Sequence, residues 1–168
     1  MFDALFSSGL PSGRRKVVIL GSGWAGYSLA RRLNKKICEV TMVSPRNHFL
    51  FTPLLSTTTV GTLEFRNIIE SARRIKNIKY IQASCKSVDA DSRTIECANK
   101  NVPDTKISVK FDDLVIACGA EANTFNIDGA KENSYFLKQL SDARRIRNRL
   151  SEIFEMACYF RHKRHSEP

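Results

Sequence analysis

Apolar positions along this chain fall into two kinds of pattern. Val17 to Leu20 and Leu114 to Ala117 are short apolar runs without alternation, as expected of parallel strands covered on both faces. Between them, Trp24 to Leu33 carries Leu29 and Leu33 four residues apart and gathers Arg31, Arg32, Lys35 and Lys36 near its carboxyl end, which predicts a helix. Glu39 to Ser44 supplies the next strand and completes a β-α-β unit. Asn47 to Thr62, with Pro53 and a threonine run, reads as a long irregular segment, a kind that is usually functional or disordered. Phe65 to Ile75 predicts a helix from the spacing of Ile68, Ala72 and Ile75. Lys79 to Val88 alternates as a strand, Ala90 to Ser92 is a turn, and Thr94 to Cys97 and Lys106 to Phe111 predict a small antiparallel sheet. Ser141 to Ala157 is amphipathic, with Ile146, Leu150, Ile153 and Phe154 at helical intervals and Ser141 and Asp142 as start signals. The class is α/β, without an internal repeat.

The chemistry lies at the end of the first strand, where GSGWAG places the three glycines of G-x-G-x-x-G between strand and helix. Gly21 allows a tight turn, Gly23 has no side chain to keep a pyrophosphate off the backbone, and Gly26 lets the helix pack close to the strand. The helix amino terminus favours an anion. The alternative is a glycine-rich turn that packs and binds nothing. An acidic residue normally closes the second strand and takes a ribose hydroxyl, but here the sequence is Ser44-Pro45-Arg46-Asn47. By spacing, Arg46 suits a phosphorylated ribose and hence NADP, while Ser44 suits a plain ribose hydroxyl. The motif alone leaves the nucleotide open.

Composition narrows the partners. The 168 residues are 42% hydrophobic, enough for one domain with a core. No apolar run is long enough to cross a bilayer, so membrane association would be peripheral. Phe2, Leu5 and Phe6 share a helical face ahead of basic residues, but Asp3 and Pro11 make the segment a poor transit peptide. The net charge of +10 is densest at Arg144, Arg145, Arg147 and Arg149 and from Arg161 to His165. Without a recognition-helix, zinc or RNA-binding signature, these read as a solvated helix face and a disordered tail rather than a specific nucleic-acid surface; attraction to an anionic membrane is the next reading. The five cysteines show no C-x-x-C spacing, so neither a disulfide framework nor a zinc site is expected. Cys118 reads as a small residue in a tight place rather than a redox thiol. His48, His162 and His165 form no ligand cluster, and no metal site or Ser-His-Asp arrangement can be drawn.

Three longer segments carry a resemblance. VVILGSGWAGYSLARRL, VTMVSPRNHFLFTPLLSTTTVGTLEFRNIIE and DDLVIACGAEANTFNIDG closely resemble the mitochondrial branch of the type II, or alternative, NADH dehydrogenases, which are flavoenzymes with two dinucleotide-binding domains. The resemblance runs from about Arg15 to Ala157. It implies a Rossmann-like FAD-binding domain, a parallel sheet with flanking helices and a small antiparallel sheet, incomplete relative to the two-domain flavoprotein fold. Residues 1–15 would be a flexible amino-terminal segment, 16–157 the truncated domain and 158–168 a basic tail.

In that family the first glycine motif holds FAD and Ser-Pro-Arg replaces the acid. The resemblance therefore implies Gly21, Gly23, Trp24, Ala25 and Gly26 along the pyrophosphate and Ser44, Pro45 and Arg46 beside the adenosine. Thr52, Pro53 and Leu54 would approach the flavin, Ala83 and Ser84 would pass the adenine, and Ala117, Cys118, Gly119 and Ala120 would form the turn under the cofactor. Two positions depart from the pattern: Ser56 where Pro is usual, and Asp128 where the family has the Pro of I-P-G.

The implied activity is hydride transfer from NADH to FAD, then electron transfer to ubiquinone, at the periphery of the mitochondrial inner membrane, with no side chain acting as acid or base. The family's NADH-binding unit, its returning segment and its carboxyl-terminal membrane-anchoring region have no counterpart in these residues. That implies a truncated form, inactive alone, with an exposed strand edge and apolar patch. Its partners would be FAD and a full-length relative or missing half. A non-catalytic nucleotide-binding or docking fragment, and a nonfunctional fragment, are the alternatives.

Overall fold

The computed structural model describes residues 13–99 and 106–165, with side chains to 160. Of the flexible segment expected over residues 1–15, residues 1–12 with their helical face lie outside the described residues, as do the last three residues of the basic tail; Arg15 belongs to the first strand.

The chain builds β1 (Arg15–Leu20), α1 (Trp24–Arg32), β2 (Cys38–Val43), β3 (His48–Leu50), α2 (Leu55–Thr59), β4 (Ile69–Ser71), β5 (Ile78–Ile81), β6 (Ser84–Asp89), β7 (Thr94–Ala98), β8 (Lys106–Lys110), β9 (Asp113–Ile116) and α3 (Leu140–His165). It divides into two compact units. The first takes the described residues within Met1–Phe49 and Glu70–Ala120, the second those within Leu50–Ile69 and Glu121–Pro168.

The first unit is layered around a four-stranded parallel sheet of order β5-β2-β1-β9. Alternate residues of β1 serve its two faces. Val17 and Ile19 pack with Tyr27 and Ala30 of α1 and with Val40 and Met42 of β2. Val18 and Leu20 pack with Val43, Ala83, Ile95 and Cys97, and against Ile107 and Val109 of the antiparallel sheet β6-β7-β8. Because both faces are covered, the last four residues of β1 and of β2 are all buried, whereas β8 alternates exposed and half-buried along KISVK. Fully burying an aliphatic side chain such as Ile19 or Met42 stabilises the fold by about 1.5–3 kcal/mol each. Arg15 clamps β1 to β9 through a forked pair with Asp113, Nε to Oδ2 at 2.5 Å and Nη2 to Oδ1 at 2.9 Å.

The expected helix over Phe65 to Ile75 does not form. The segment is two 3-10 turns, Phe65–Ile68 and Ala72–Arg74, on either side of β4. The Ile68 carbonyl accepts from Phe51 N–H, and Ala72 N–H donates to the Asn47 carbonyl, so backbone bonds to distant residues replace a helical ladder. The single strand expected over Lys79 to Val88 is two strands. β5 joins the parallel sheet and β6 the antiparallel one, with the buried Ala83 where the chain changes sheet. Among the described residues β9 has one strand neighbour, β1, and Ile116 on it is 70% exposed, in keeping with the exposed strand edge expected from the resemblance.

In the second unit, Leu50, Leu55, Ile68 and Ala143 form a small core with Leu63, Phe65, Ile69 and Leu140. Arg144 and Arg147 lay their guanidinium groups over the Phe65 ring, at 5.2 and 4.8 Å from its centre. The helix expected over Ser141 to Ala157 is longer than the spacing suggested, since α3 continues to His165 through residues read as tail. Leu150, Ile153, Phe154, Tyr159 and Phe160 on it are exposed.

Candidate functional site

Each glycine of the turn has a distinct task. Gly21 has φ +108° and donates its N–H to the Val43 carbonyl at 2.8 Å; a Cβ there would strike the Ala117 carbonyl. Gly26 is buried, and a Cβ on it would strike the Gly21 carbonyl and stand 3.2 Å from Ile19 Cγ2. These two glycines join strand to helix. Gly23 is different: it is the N-cap of α1 with φ −80° and ψ −166°, an ordinary extended geometry, and a Cβ there would meet only Arg46 Nη2, at 3.8 Å. The missing side chain at Gly23 is therefore not needed for the turn itself. No side chain caps α1 and no acid occupies its first turn, so its amino terminus keeps its full attraction for an anion.

The neighbouring loops converge on the turn through Ser22, which sequence reasoning passed over. Its hydroxyl is buried and lies 3.0 Å from Ser44 Oγ, 2.9 Å from the Arg46 carbonyl and 3.1 Å from the His48 carbonyl. Arg46 N–H donates to Ser44 Oγ at 3.2 Å. A hydroxyl has one proton, so the consistent ordering runs from Arg46 N–H to Ser44 Oγ, from Ser44 O–H to Ser22 Oγ, and from Ser22 O–H to the two carbonyls. Ser44 is also bound through its backbone: its N–H donates to the Ile81 carbonyl, and its carbonyl accepts from Ala83 N–H and from Tyr80 Oη at 3.1 Å. In this ordering the Ser44 proton is spent on Ser22, so toward a ribose the Ser44 hydroxyl has acceptor capacity left but no proton to give.

Arg46 is half-buried and, among the described residues, forms no ion pair. Burial holds its pKa below the usual arginine value. His48, two residues on, is held below the ordinary histidine range by burial and then by the Arg46 charge. Trp24 opens α1, 47% exposed, with its ring edge-on to Phe49 at 4.9 Å, and Phe49 stacks on Tyr27 at 4.7 Å. Burial, with help from Glu70, pushes the Tyr27 phenol up to about 12.

Of the other expected residues, Ala25 is exposed on the first turn of α1, Pro45 is exposed, Ala83 is buried beside Ser44, and Ser84 opens β6 half-buried. Ala117 N–H donates to the Leu20 carbonyl, and Cys118, Gly119 with φ +75° and Ala120 follow it exposed. Thr52, Pro53 and Leu54 form one exposed 3-10 turn in the second unit. Two surface hollows of about 210 and 510 Å³ lie elsewhere in the first unit, lined by residues such as Lys16, Glu39 and Ser108 and by Arg14, Lys35 and Asn77. They are shallow and of mixed charge. The glycine turn is the better candidate because it combines an uncapped helix amino terminus, a bare backbone at Gly23 and the Arg46 guanidinium beside it. Among the described residues no group of three or more His, Cys, Asp or Glu could hold a metal.

A parallel sheet whose first strand ends in a glycine turn at an uncapped helix amino terminus defines a dinucleotide-binding α/β protein. Residues 15–162 match the pyridine nucleotide-disulphide oxidoreductase family, and the chain belongs to it. It is 45% identical over 152 residues to an external alternative NAD(P)H-ubiquinone oxidoreductase B2, mitochondrial, of Arabidopsis thaliana, covering 86% of this chain and 26% of that one. It is 46% identical over 145 residues to a probable NADH dehydrogenase of Dictyostelium discoideum, covering 84% of this chain and 32% of the relative. Among solved structures it is similar to NDH2 from Plasmodium falciparum in complex with NADH, with a TM-score of 0.80 and 38% identity over 86% of this chain and 30% of that one. The resemblance to alternative NADH dehydrogenases therefore holds, and the chain spans about a quarter to a third of the length of these relatives.

Proposed function

We propose that these residues form the FAD-holding part of a type II NADH:ubiquinone oxidoreductase, located in the mitochondrion at the inner-membrane periphery. The observation that carries the cofactor reading is the bare backbone at Gly23, a position whose geometry any residue could adopt and over which only the Arg46 guanidinium stands, a setting that suits a diphosphate. Uncompensated charge on Arg46 suits the same group.

Bound FAD would supply the redox chemistry, accepting a hydride from NADH and passing electrons to a quinone. The residues here bind and orient. Gly21, Gly23 and Gly26 shape the turn, Trp24 and Ala25 border it on α1, and Ala83, Ser84 and Ala117 to Ala120 line the approach from β5 and β9. Ser44 and Pro45 would lie beside the adenosine half, Arg46 follows them with its charge toward the diphosphate, and Thr52, Pro53 and Leu54 belong to the flavin half. None acts as an acid or base. Because the chain spans a third or less of its relatives, we assign it cofactor retention without turnover by itself. In that state a longer relative docking at the β9 edge is its expected partner.

No helix among the described residues is long and apolar enough to cross a membrane. The test is a titration of the chain with FAD and, separately, NADP, read by the fluorescence of Trp24, its single tryptophan. Quenching by FAD in preference to NADP is the expected result. Preference for NADP would return Arg46 to a ribose-phosphate role and overturn the FAD assignment.

A further inference from the structure

We propose that Ser22 and Ser44 act as a buried hydroxyl lock that holds the Arg46 guanidinium over Gly23, where it neutralises the diphosphate of the dinucleotide rather than contacting the adenosine. The inference rests on the cofactor reading above and assigns within it a charge and a positioning pair.

Three observations carry it. The first is position: Arg46 Nη2 is the one atom a Cβ on Gly23 would meet, at 3.8 Å, so the guanidinium stands over the glycine whose openness admits the phosphates. The second is constraint. Both backbone polar groups of Arg46 are tied, its N–H to Ser44 Oγ at 3.2 Å and its carbonyl to Ser22 Oγ at 2.9 Å, and the two hydroxyls are bound to each other at 3.0 Å. Ser22 and Ser44 are 1% and 3% exposed, so this loop of bonds is shielded from competing water. A long side chain loses less on binding when its backbone is already fixed.

The third observation is charge. Among the described residues Arg46 has no carboxylate partner, although it is half-buried, and burial lowers its pKa without an opposing acid. A partly desolvated guanidinium without a counter-ion is costly unless an anion completes it. A diphosphate presents two negative charges at the uncapped end of α1, and guanidinium matches phosphate oxygens in a forked arrangement. The His48 carbonyl also accepts from Ser22, so the lock fixes the chain from Arg46 to His48 as one piece.

The test separates phosphate from adenosine. The 168-residue chain and its Arg46→Ala, Arg46→Lys and Ser44→Ala variants are titrated with FAD, ADP and adenosine by Trp24 fluorescence, with thermal melting as a control for folding. Arg46→Ala is expected to weaken FAD and ADP by about tenfold to a hundredfold, the range for losing a charge-assisted hydrogen bond, and to leave adenosine unchanged. Arg46→Lys should recover part of the loss. Ser44→Ala should weaken FAD and ADP several-fold while Arg46 itself is intact, and salt should weaken ADP binding more in the wild type than in Arg46→Ala. Equal loss of adenosine and ADP in Arg46→Ala, or undiminished ADP binding, would overturn the inference while the cofactor reading stands. A wild-type chain that binds none of the three ligands overturns the cofactor reading and this inference together.

Discussion

Gly23 and Gly26 separate what the turn needs in order to fold from what it needs in order to bind. Alanine at Gly26 forces its Cβ onto the Gly21 carbonyl and to 3.2 Å from Ile19 Cγ2, with backbone on one side and a fully buried strand on the other. Neither neighbour can yield cheaply. Overpacking of this kind costs about 1–3 kcal/mol, and at about 2–4 °C per kcal/mol for a chain of this size the melting temperature should fall by about 2–12 °C whether or not ligand is present.

Alanine at Gly23 adopts φ −80° and ψ −166° without strain and meets only the Arg46 guanidinium, at an ordinary contact distance of 3.8 Å. Its free-protein stability should hold or rise by a few tenths of a kcal/mol from the stiffer unfolded chain. The added methyl nevertheless occupies the approach to the backbone, so FAD affinity should fall by about tenfold to a hundredfold. Calorimetry of the free proteins and fluorescence titration with FAD read the two effects separately. Destabilisation of the free chain by Gly23→Ala as large as by Gly26→Ala, or wild-type FAD binding by Gly23→Ala, would refute this division between the two glycines.

Other outcomes follow from the same structure. Cys118 and Cys158 are exposed while Cys38 and Cys97 are buried, and burial pushes the Cys97 thiol up to about 11; iodoacetamide at neutral pH should label the first two in native protein and the other two only after unfolding, as peptide mass mapping would report. His48 has a folded-state pKa below its unfolded value, so the unfolded chain takes up the proton first. Stability should fall as pH drops below about 6.5, and His48→Gln should flatten that decline in melts between neutral and mildly acidic pH. A steeper decline in the variant would contradict the assignment. Asp113→Asn breaks the forked pair with Arg15 that joins β1 to β9; it should lower the melting temperature at low ionic strength, with the difference shrinking in high salt because both side chains are partly exposed.

The β-α-β unit was legible because its signals are local. An uninterrupted apolar strand, a glycine turn and a helix with basic residues at its end each depend on neighbours in sequence, and they appear where expected. Over Phe65 to Ile75 the pattern misleads, because helical spacing of Ile68, Ala72 and Ile75 also arises when successive apolar residues serve different cores. Ile68 belongs to the core of the second unit and Ala72 and Ile75 to that of the first. Lys79 to Val88 looks like one strand in the sequence because its residues give no sign that partners change at Ala83.

In the site, the three glycines were recognisable, but the division of labour among them was not, since it depends on which atoms surround each missing Cβ. Ser44 drew attention as a ribose donor from its place at the strand end. Its role as an internal tie became visible only with Ser22 opposite it. A small polar residue between the glycines of the motif was the available signal for Ser22, and burial decides its meaning.

The central claim is that this chain by itself holds FAD at the glycine turn and does not turn it over. The most direct measurement is the visible spectrum of the chain after saturation with FAD and gel filtration, recorded before and after NADH under anaerobic conditions. Equimolar bound flavin that NADH leaves oxidised is the predicted result. A chain that emerges without flavin would contradict the cofactor assignment, and flavin bleached by NADH would contradict the assignment of retention without turnover.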